Sequence, residues 1–388
     1  MTRLLFFIYL APWLSLLRIG WRRPRLADDP PRRGRRVSVI IPARNEAINI
    51  TEVVQSILRS NYEPFEVIVV DDRSTDDTAA KVRELMEGES RVRLIAGSEL
   101  PEGWFGKPWA CTQGAREATG ELLLFTDADT RHQPGLLAQA VGGLERHGAQ
   151  MLTILPHLQC VTFWERLVMP QIFYLLAMRY PPRGINQARH ARDVIANGQF
   201  ILVTRDSYDR VGGHAAVRGA VAEDLALAQT YYRRGEPIYC AVATDLMETR
   251  MYRDLGGLIE GWSKNIYLGS QASFPDEPWR RALSPVMLVL AVLYWLIPLA
   301  LLAFGAAGGT GTPAATGAVV SCALFWIAVA VGMGIPPWYG LGYPLGGAMS
   351  LYIIVRSIAR GSRRVEWRGR VYQGAARSET PGSAPRAT

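Results

Sequence analysis

From residue 282 to residue 355 the chain has no Asp, Glu, Lys, Arg or His, a gap of 74 residues in a protein of 388. A folded soluble surface needs polar cover, so a purely soluble, secreted or disordered protein is excluded. At about 20 residues per crossing, the gap has room for about three membrane segments. Lysine is scarce as well: of 43 basic residues only Lys81, Lys107 and Lys264 are lysines. A chain that writes its positive charge as arginine keeps lysine where a compact point charge is needed. Lys81, on an expected helix face, reads as solvated. The four cysteines, Cys111, Cys160, Cys240 and Cys322, form no CxxC pair. That excludes a zinc site or a disulfide framework and leaves reduced thiols in a cytoplasm-facing domain. No internal repeat is present.

The charge that is present divides unevenly. Residues 37–281 hold 26 Lys and Arg against 31 Asp and Glu, whereas the two flanks hold 17 Arg against 4 acids. The basic pI of about 9.4 therefore comes from the flanks. Nucleic acid is excluded as a partner, because it wants a basic face on the folded domain itself. Arginine beside apolar segments marks retention at the anionic, cytoplasmic side of a bilayer. Residues 4–17 are a charge-free run of 14, followed by Arg18, Arg22, Arg23 and Arg25. The basic cluster follows the apolar run and no small-residue cleavage site is present, so this is an uncleaved anchor rather than a signal peptide. Its short run reaches across if Arg18 snorkels. The expected organisation is a membrane anchor and Pro/Arg linker over 1–36 and a cytoplasmic domain over 37–281. A transmembrane region over 282–360 and a basic, partly disordered tail over 361–388 follow.

Within 37–281 short apolar runs alternate with helical periodicity. Strands are expected at 37–41, 65–70, 91–95, 121–126, 149–155, 199–204 and 238–243. Helices fall between them, at 50–58, 76–86, 108–118, 134–147, 223–234 and 255–268. The alternation predicts an α/β fold, a mostly parallel sheet with helices on both faces. Sites in such sheets lie beyond the carboxyl ends of the strands. Three strands end in unusual turns: PARNE (42–46), DDRSTDD (71–77) and DAD (127–129). A D-x-D turn presents two carboxylates to a hard divalent cation, which also keeps phosphate oxygens in its shell. Asp76 and Asp77 read as helix caps; Asp72, directly at a strand end, does not. The apolar, aromatic stretch 163–180 is interrupted by Glu165, Arg166, Pro170 and Arg179. It reads as an amphipathic helix in the membrane interface rather than a crossing. Four crossings would put the last eight arginines outside, against the positive-inside tendency, so 343–358 is expected to be re-entrant or interfacial.

Taken in order, PARNE, VVDDRSTDDT (69–78), GKPWA (106–110), LLLFTDADT (122–130) and AEDLALA (222–228) resemble the family 2 glycosyltransferases of GT-A fold. The resemblance covers about residues 37–271. The stretches NGQFILVTRDSYDRVGGH (197–214) and RMYRDLGGLIEGWSKN (250–265) are most similar to bacterial membrane enzymes associated with carotenoid and hopanoid glycosylation. They are more distantly similar to ceramide glucosyltransferase. The resemblance implies that Pro42, Ala43, Arg44, Glu46, Asp72 and Lys107 bind the nucleotide. Asp127 faces the ribose or the metal, and Asp129 binds Mg2+ or Mn2+ at the diphosphate. Asp224 matches the family's catalytic base. Read from the residues alone, Glu223 and Asp224 are equally a helix N-terminus complementing its dipole. Gln199, His214, Glu223, Trp262 and Lys264 fall on the acceptor or diphosphate side. His214 reads either as such a contact or as a structural histidine, and Trp262 either stacks on a sugar or packs in the core.

One departure from the family is informative. The Q-x-x-R-W motif of processive members is absent, and EGWSK (260–264) stands nearest to it. With only about four membrane segments, this counts against a polysaccharide-extruding synthase. The function expected is inverting transfer of one sugar from a nucleotide-sugar donor, UDP-linked, to a membrane lipid acceptor. The enzyme would be a multi-pass protein of the bacterial inner membrane, working at the cytoplasmic face of the lipid bilayer. A polyprenyl-phosphate acceptor and a non-catalytic membrane scaffold are the alternatives.

Overall fold

The computed structural model describes residues 2–20, 23–306, 312–361, 364–367 and 370–373. Its centre is an eight-stranded sheet: β1 (Val37–Ala43), β2 (Phe65–Asp71), β3 (Val92–Ala96), β4 (Leu122–Thr126), β5 (Thr130–His132), β6 (Met151–Leu158), β7 (Phe200–Thr204) and β8 (Ile238–Thr249). The strand order is β3-β2-β1-β4-β7-β6-β8-β5. Pairing is parallel across β3-β2-β1-β4 and for β6 with β8; β7 runs against β4 and β6, and β5 against β8. The sheet is thus mostly parallel, as the alternation of elements predicts, with two reversed strands that apolar content cannot signal. Successive side chains of a strand face opposite sides. Accordingly Val39 and Ile41 enter one core, with helices Ile50–Leu58 and Leu136–Arg146. Ile40 enters the other, with helices Gly106–Glu117 and Glu223–Arg233.

The segment read as a linker is part of this domain. Leu26 is fully buried in the first core. Val242 N donates to Pro24 O at 2.8 Å and Arg32 N to Ala138 O at 2.9 Å. Asp29, 4% exposed, is bound by Arg146 at 3.3 Å and His147 at 3.1 Å. The Pro/Arg composition suits a solvated linker and a strap equally well, and a lone leucine carries no periodicity to separate them. The strap presses so closely on helix Leu136–Arg146 that a Cβ at Gly142 would lie 1.7 Å from Pro30 O. Gly142→Ala is therefore expected to destabilise the domain by about 1–3 kcal/mol, seen as a Tm lower by roughly 2–4 °C per kcal/mol. An unchanged melting curve would mean that the strap does not sit there.

Among the described residues two helices are long and apolar enough to cross a membrane, over Pro278–Gly305 and Pro313–Gly332, and Ile8–Gly20 is a shorter apolar one. Helix Thr2–Gly20 packs on helix Thr312–Gly332: the Ser321 hydroxyl donates to Tyr9 O at 2.9 Å and accepts from Trp13 Nε1 at 3.1 Å. Helix Phe163–Arg179 opens with a reciprocal cap between Thr162 and Glu165. It is wedged against other helices rather than lying free along one face. Leu167, Val168, Met169 and Ile172 are buried, and Gln171 Nε2 donates to Tyr343 O at 2.8 Å. Residues Tyr343–Arg360 form one continuous helix, tied to helix Leu255–Ala272 by ion pairs from Glu260 to Arg356 and Arg360. Of the tail expected over 361–388, two short strands pair as Arg364–Trp367 with Arg370–Gln373; residues 374–388 lie outside the described residues.

Candidate active site

The loops after β1 and β2 lock together into one shelf. Arg44 Nη1 donates to the carbonyls of Asp72 at 2.6 Å and Arg73 at 2.9 Å, while Asp72 N donates to Ala43 O at 2.8 Å. Asn45 and Arg73 both take positive φ, 55° and 56°. Asn45 closes the seam by donating its N–H to Ser74 Oγ at 3.0 Å and accepting from Thr75 N at 2.8 Å. Glu46 N donates to Thr78 Oγ1 at 2.9 Å, and Glu46 Oε2 accepts from Asn49 Nδ2 at 2.9 Å. Asp72 is fully buried at the base of the shelf. Of the two expected caps, Asp77 stands at the N-cap of helix Thr78–Gly88 but makes no side-chain capping bond, whereas Asp76 accepts from Thr78 N and from Ala47 N, both at 3.0 Å. Burial alone would raise the Asp76 carboxyl, but the Thr78 hydroxyl and these two main-chain donors hold it below the ordinary value.

Beyond the end of β4 lies a charged cluster. Lys107, in the first turn of helix Gly106–Glu117, places Nζ 2.8 Å from Asp127 Oδ1 and 2.9 Å from Glu223 Oε1. Asp224 sits beside it, its Oδ2 accepting from Gly198 N at 3.0 Å and its Oδ1 from Leu225 N at 2.7 Å. Glu223 and Asp224 open helix Glu223–Arg233, whose N-terminal dipole favours negative charge. Burial, with Glu223 adjacent, lifts the Asp224 carboxyl from 3.8 to about 6. Burial opposes the Lys107 charge, but Asp127, Glu223 and Asp224 together hold its pKa well above the ordinary value. For Glu223 burial works upward, and the Lys107 ammonium overrides it to keep the carboxylate ionised. One small cavity joins Lys107, Asp127, Glu223, Gly198, Pro42 and His214. Of the predicted donor residues Pro42, Lys107 and Asp127 thus share a wall with Glu223, the chain neighbour of the predicted base.

Asp129 stands two residues beyond Asp127, its carbonyl accepting from Thr249 Oγ1 and Arg250 N, both at 3.3 Å. Gln199 braces the same region: its Nε2 donates to Thr249 Oγ1 at 3.0 Å and its carbonyl accepts from Thr126 Oγ1 at 2.8 Å. Among the described residues no group of three or more His, Cys, Asp or Glu is placed to hold an ion. Asp127 and Asp129 offer hard carboxylate oxygens only, a donor set that fits Mg2+ or Mn2+ when phosphate oxygens fill the remaining positions.

Other predicted residues have structural partners. His214 Nδ1 pairs with Tyr208 OH at 2.9 Å and its ring meets Phe125 at 4.5 Å. Burial pulls it down to about 3 against the opposing charge of Glu223, so it is a neutral part of the cavity wall. Trp262 is buried between helices, with Nε1 donating to Met169 Sδ at 3.3 Å and its ring against Phe173 and Tyr252; this is the core-packing arrangement. Lys264 follows on the same helix, half-buried. Sequence reasoning missed Gly198. A Cβ there would lie 2.9 Å from Lys107 Nζ and 3.1 Å from Asp224 Oδ2. Its only signal was its place in the NGQF stretch, immediately before β7.

Residues 38–212 match the family model described as Glycosyl transferase family 2. That part of the chain is a family 2 glycosyltransferase domain, and its architecture is GT-A-like. Over 267 residues the chain is 27% identical to the 4,4'-diaponeurosporenoate glycosyltransferase of Staphylococcus aureus (strain MRSA252), covering 67% of this chain and 65% of that protein. The enzyme of the same name from Staphylococcus haemolyticus (strain JCSC1435) is 25% identical over 309 residues, covering 76% and 77%. The chain therefore spans about 65% of the length of the S. aureus relatives. Among solved structures it is similar to a mannosyltransferase, PcManGT from Pyrobaculum calidifontis, in complex with GDP-Man and Mn2+. There the TM-score is 0.53 and the identity 21%, with 93% of this chain and 98% of that one covered. This last likeness is one of fold.

Proposed function

We propose that this protein transfers one sugar, with inversion, from a nucleotide-sugar donor, a UDP-sugar, to a membrane lipid at the cytoplasmic face of the bacterial inner membrane. The observation that carries the proposal is the joining of the D-x-D aspartate Asp127 to Glu223 through Lys107, with Asp224, next in the chain, held by Gly198 N at the same place. Pro42, Ala43, Arg44, Glu46 and Asp72 form the shelf for the nucleotide. Asp127 and Asp129 would hold Mg2+ or Mn2+, which supplies positive charge for the departing diphosphate. Asp224, raised to about 6, takes the proton of the acceptor hydroxyl or carboxyl as its oxygen bonds to the anomeric carbon and the bond to the diphosphate breaks. A carboxylate serves as base when proton transfer is concerted with attack. Helix Phe163–Arg179 and the apolar C-terminal helices support a lipid acceptor, because they set the domain against a surface where an amphiphile presents its head group. The staphylococcal relatives, named for diaponeurosporenoate glycosylation, support the same acceptor class. The arginines of 18–36 support a cytoplasmic face.

The test is turnover by the purified chain with a UDP-sugar and a bacterial lipid extract, read by mass spectrometry. The expected product is a lipid heavier by one sugar, formed with release of nucleoside diphosphate. A product with sugar joined to a polyprenyl phosphate would replace the acceptor class. No lipid-dependent release with any nucleotide sugar would leave the scaffold reading.

A further inference from the structure

The position of Lys107 has a meaning beyond contact with a donor. Its ammonium lies within hydrogen-bonding distance of Asp127, one of the two carboxylates offered to a divalent ion, and of Glu223, neighbour of the proposed base. We infer that Lys107 is a tethered cation that holds the Asp127 carboxylate in the donor-free enzyme and must release it before a divalent ion binds, so that ion capture waits for the nucleotide. The inference rests on the metal-dependent reading above and adds an order of events to it.

Three features carry it. First, the ammonium at 2.8 Å from Asp127 Oδ1 fills the charge demand that an ion at about 2.1 Å from carboxylate oxygen would otherwise meet. Two cations sharing one carboxylate in a water-poor cleft repel strongly. Second, Asp127 and Asp129 leave most of an octahedral shell to other ligands, and among the described residues no larger acidic or histidine group is assembled there. Diphosphate oxygens supply what is missing, and they also give the displaced ammonium a new anionic partner. Third, the space suits lysine. A Cβ at Gly198 would lie 2.9 Å from Nζ, so the ammonium sits close against the main chain there. Arginine elsewhere supplies 40 of the 43 basic residues; here the chain uses the compact cation. Binding of ion and nucleotide is then mutually strengthened by one and the same factor.

The experiment is Mn2+ titration followed by electron paramagnetic resonance on the detergent-solubilised full chain, with and without UDP. The parent should bind Mn2+ weakly alone and about 10–100-fold more tightly with UDP, within the usual span of coupling between sites. Lys107→Met should bind Mn2+ alone about tenfold more tightly than the parent and gain less from UDP. Lys107→Gln, which keeps N–H donors without the charge, guards against misfolding of the methionine variant and should move the same way. The gain should exceed that of Lys81→Met, which removes a lysine outside the cluster. A merely structural lysine predicts weaker binding in the variants, never tighter. If the parent takes up Mn2+ with UDP but neither Lys107 variant gains affinity without it, the inference is overturned and the proposed function stands. Absence of Mn2+ binding by the parent in both conditions overturns the inference and the metal-dependent reading together.

Discussion

Asp224→Asn is expected to cut sugar transfer by about 10²–10⁴, the usual contribution of a positioned general base, while donor affinity stays within a few-fold of the parent. The amide keeps the shape of the carboxylate but cannot take the acceptor's proton. It also turns one nitrogen toward an N–H donor, since Gly198 N and Leu225 N each bind one carboxylate oxygen. A loss of about 1–3 kcal/mol of stability follows from that mismatch, too little to account for the loss of transfer in a folded sample. In the parent, transfer should rise with pH through about 6, where the buried carboxyl gives up its proton. Stability should move the other way over the same span. The folded state keeps a proton that the unfolded chain has released, so the contribution of Asp224 declines between pH 3.8 and about 6. Glu223, held below its ordinary value, works in the opposite sense. Nucleotide affinity and turnover measured on one preparation decide the matter: transfer within about tenfold of the parent, with the fold intact, removes Asp224 from the reaction.

The second large effect is expected from the smallest substitution. Gly198→Ala introduces a methyl 2.9 Å from Lys107 Nζ and 3.1 Å from Asp224 Oδ2, so the ammonium must swing aside and the carboxylate give by a few tenths of an ångström. Displacing catalytic groups by about 1 Å costs on the order of 10²-fold in rate. Transfer should fall by that order although no charge or hydrogen-bonding group has been removed. The main-chain N–H of residue 198 remains, and the strand that follows is fully buried, so the melting temperature should change little. Steady-state turnover beside a melting curve tests this. Equal turnover in Gly198→Ala would show that the cluster tolerates a gap between Lys107 and Asp224, and would remove its claim to be one unit.

How much of this was legible beforehand depends on locality. PARNE, DDRSTDD and DAD each follow an apolar run directly, so strand ends and acidic turns could be read together, and the parallel pairing of β1, β2 and β4 brings them to one edge. Lys107 and Glu223 are far apart in the chain, and nothing local announces their pairing; the family resemblance placed Lys107 at the nucleotide and Glu223 on the acceptor or diphosphate side. β5 is three residues long and reversed, and β8 continues to Thr249 beyond the apolar run that marked its start. Trp262 was ambiguous because a tryptophan that stacks on sugar and one that packs beneath a helix have the same neighbours in sequence. Residues 343–358, expected from the arginine balance to be re-entrant or interfacial, lie in a continuous helix, with Pro344 in its first turn, where proline costs no hydrogen bond.

The buried strap also fixes a distance. Leu26 is anchored in the core of the catalytic domain and the N-terminal apolar helix ends at Gly20. Six residue steps span at most about 22 Å even when fully extended. With that helix in the bilayer, the domain would stand within about that distance of it rather than swing on a long tether. The crevice would meet head groups over a bounded range of depths, and acceptors would be sorted by how far their reactive group stands above the lipid plane as well as by its chemistry.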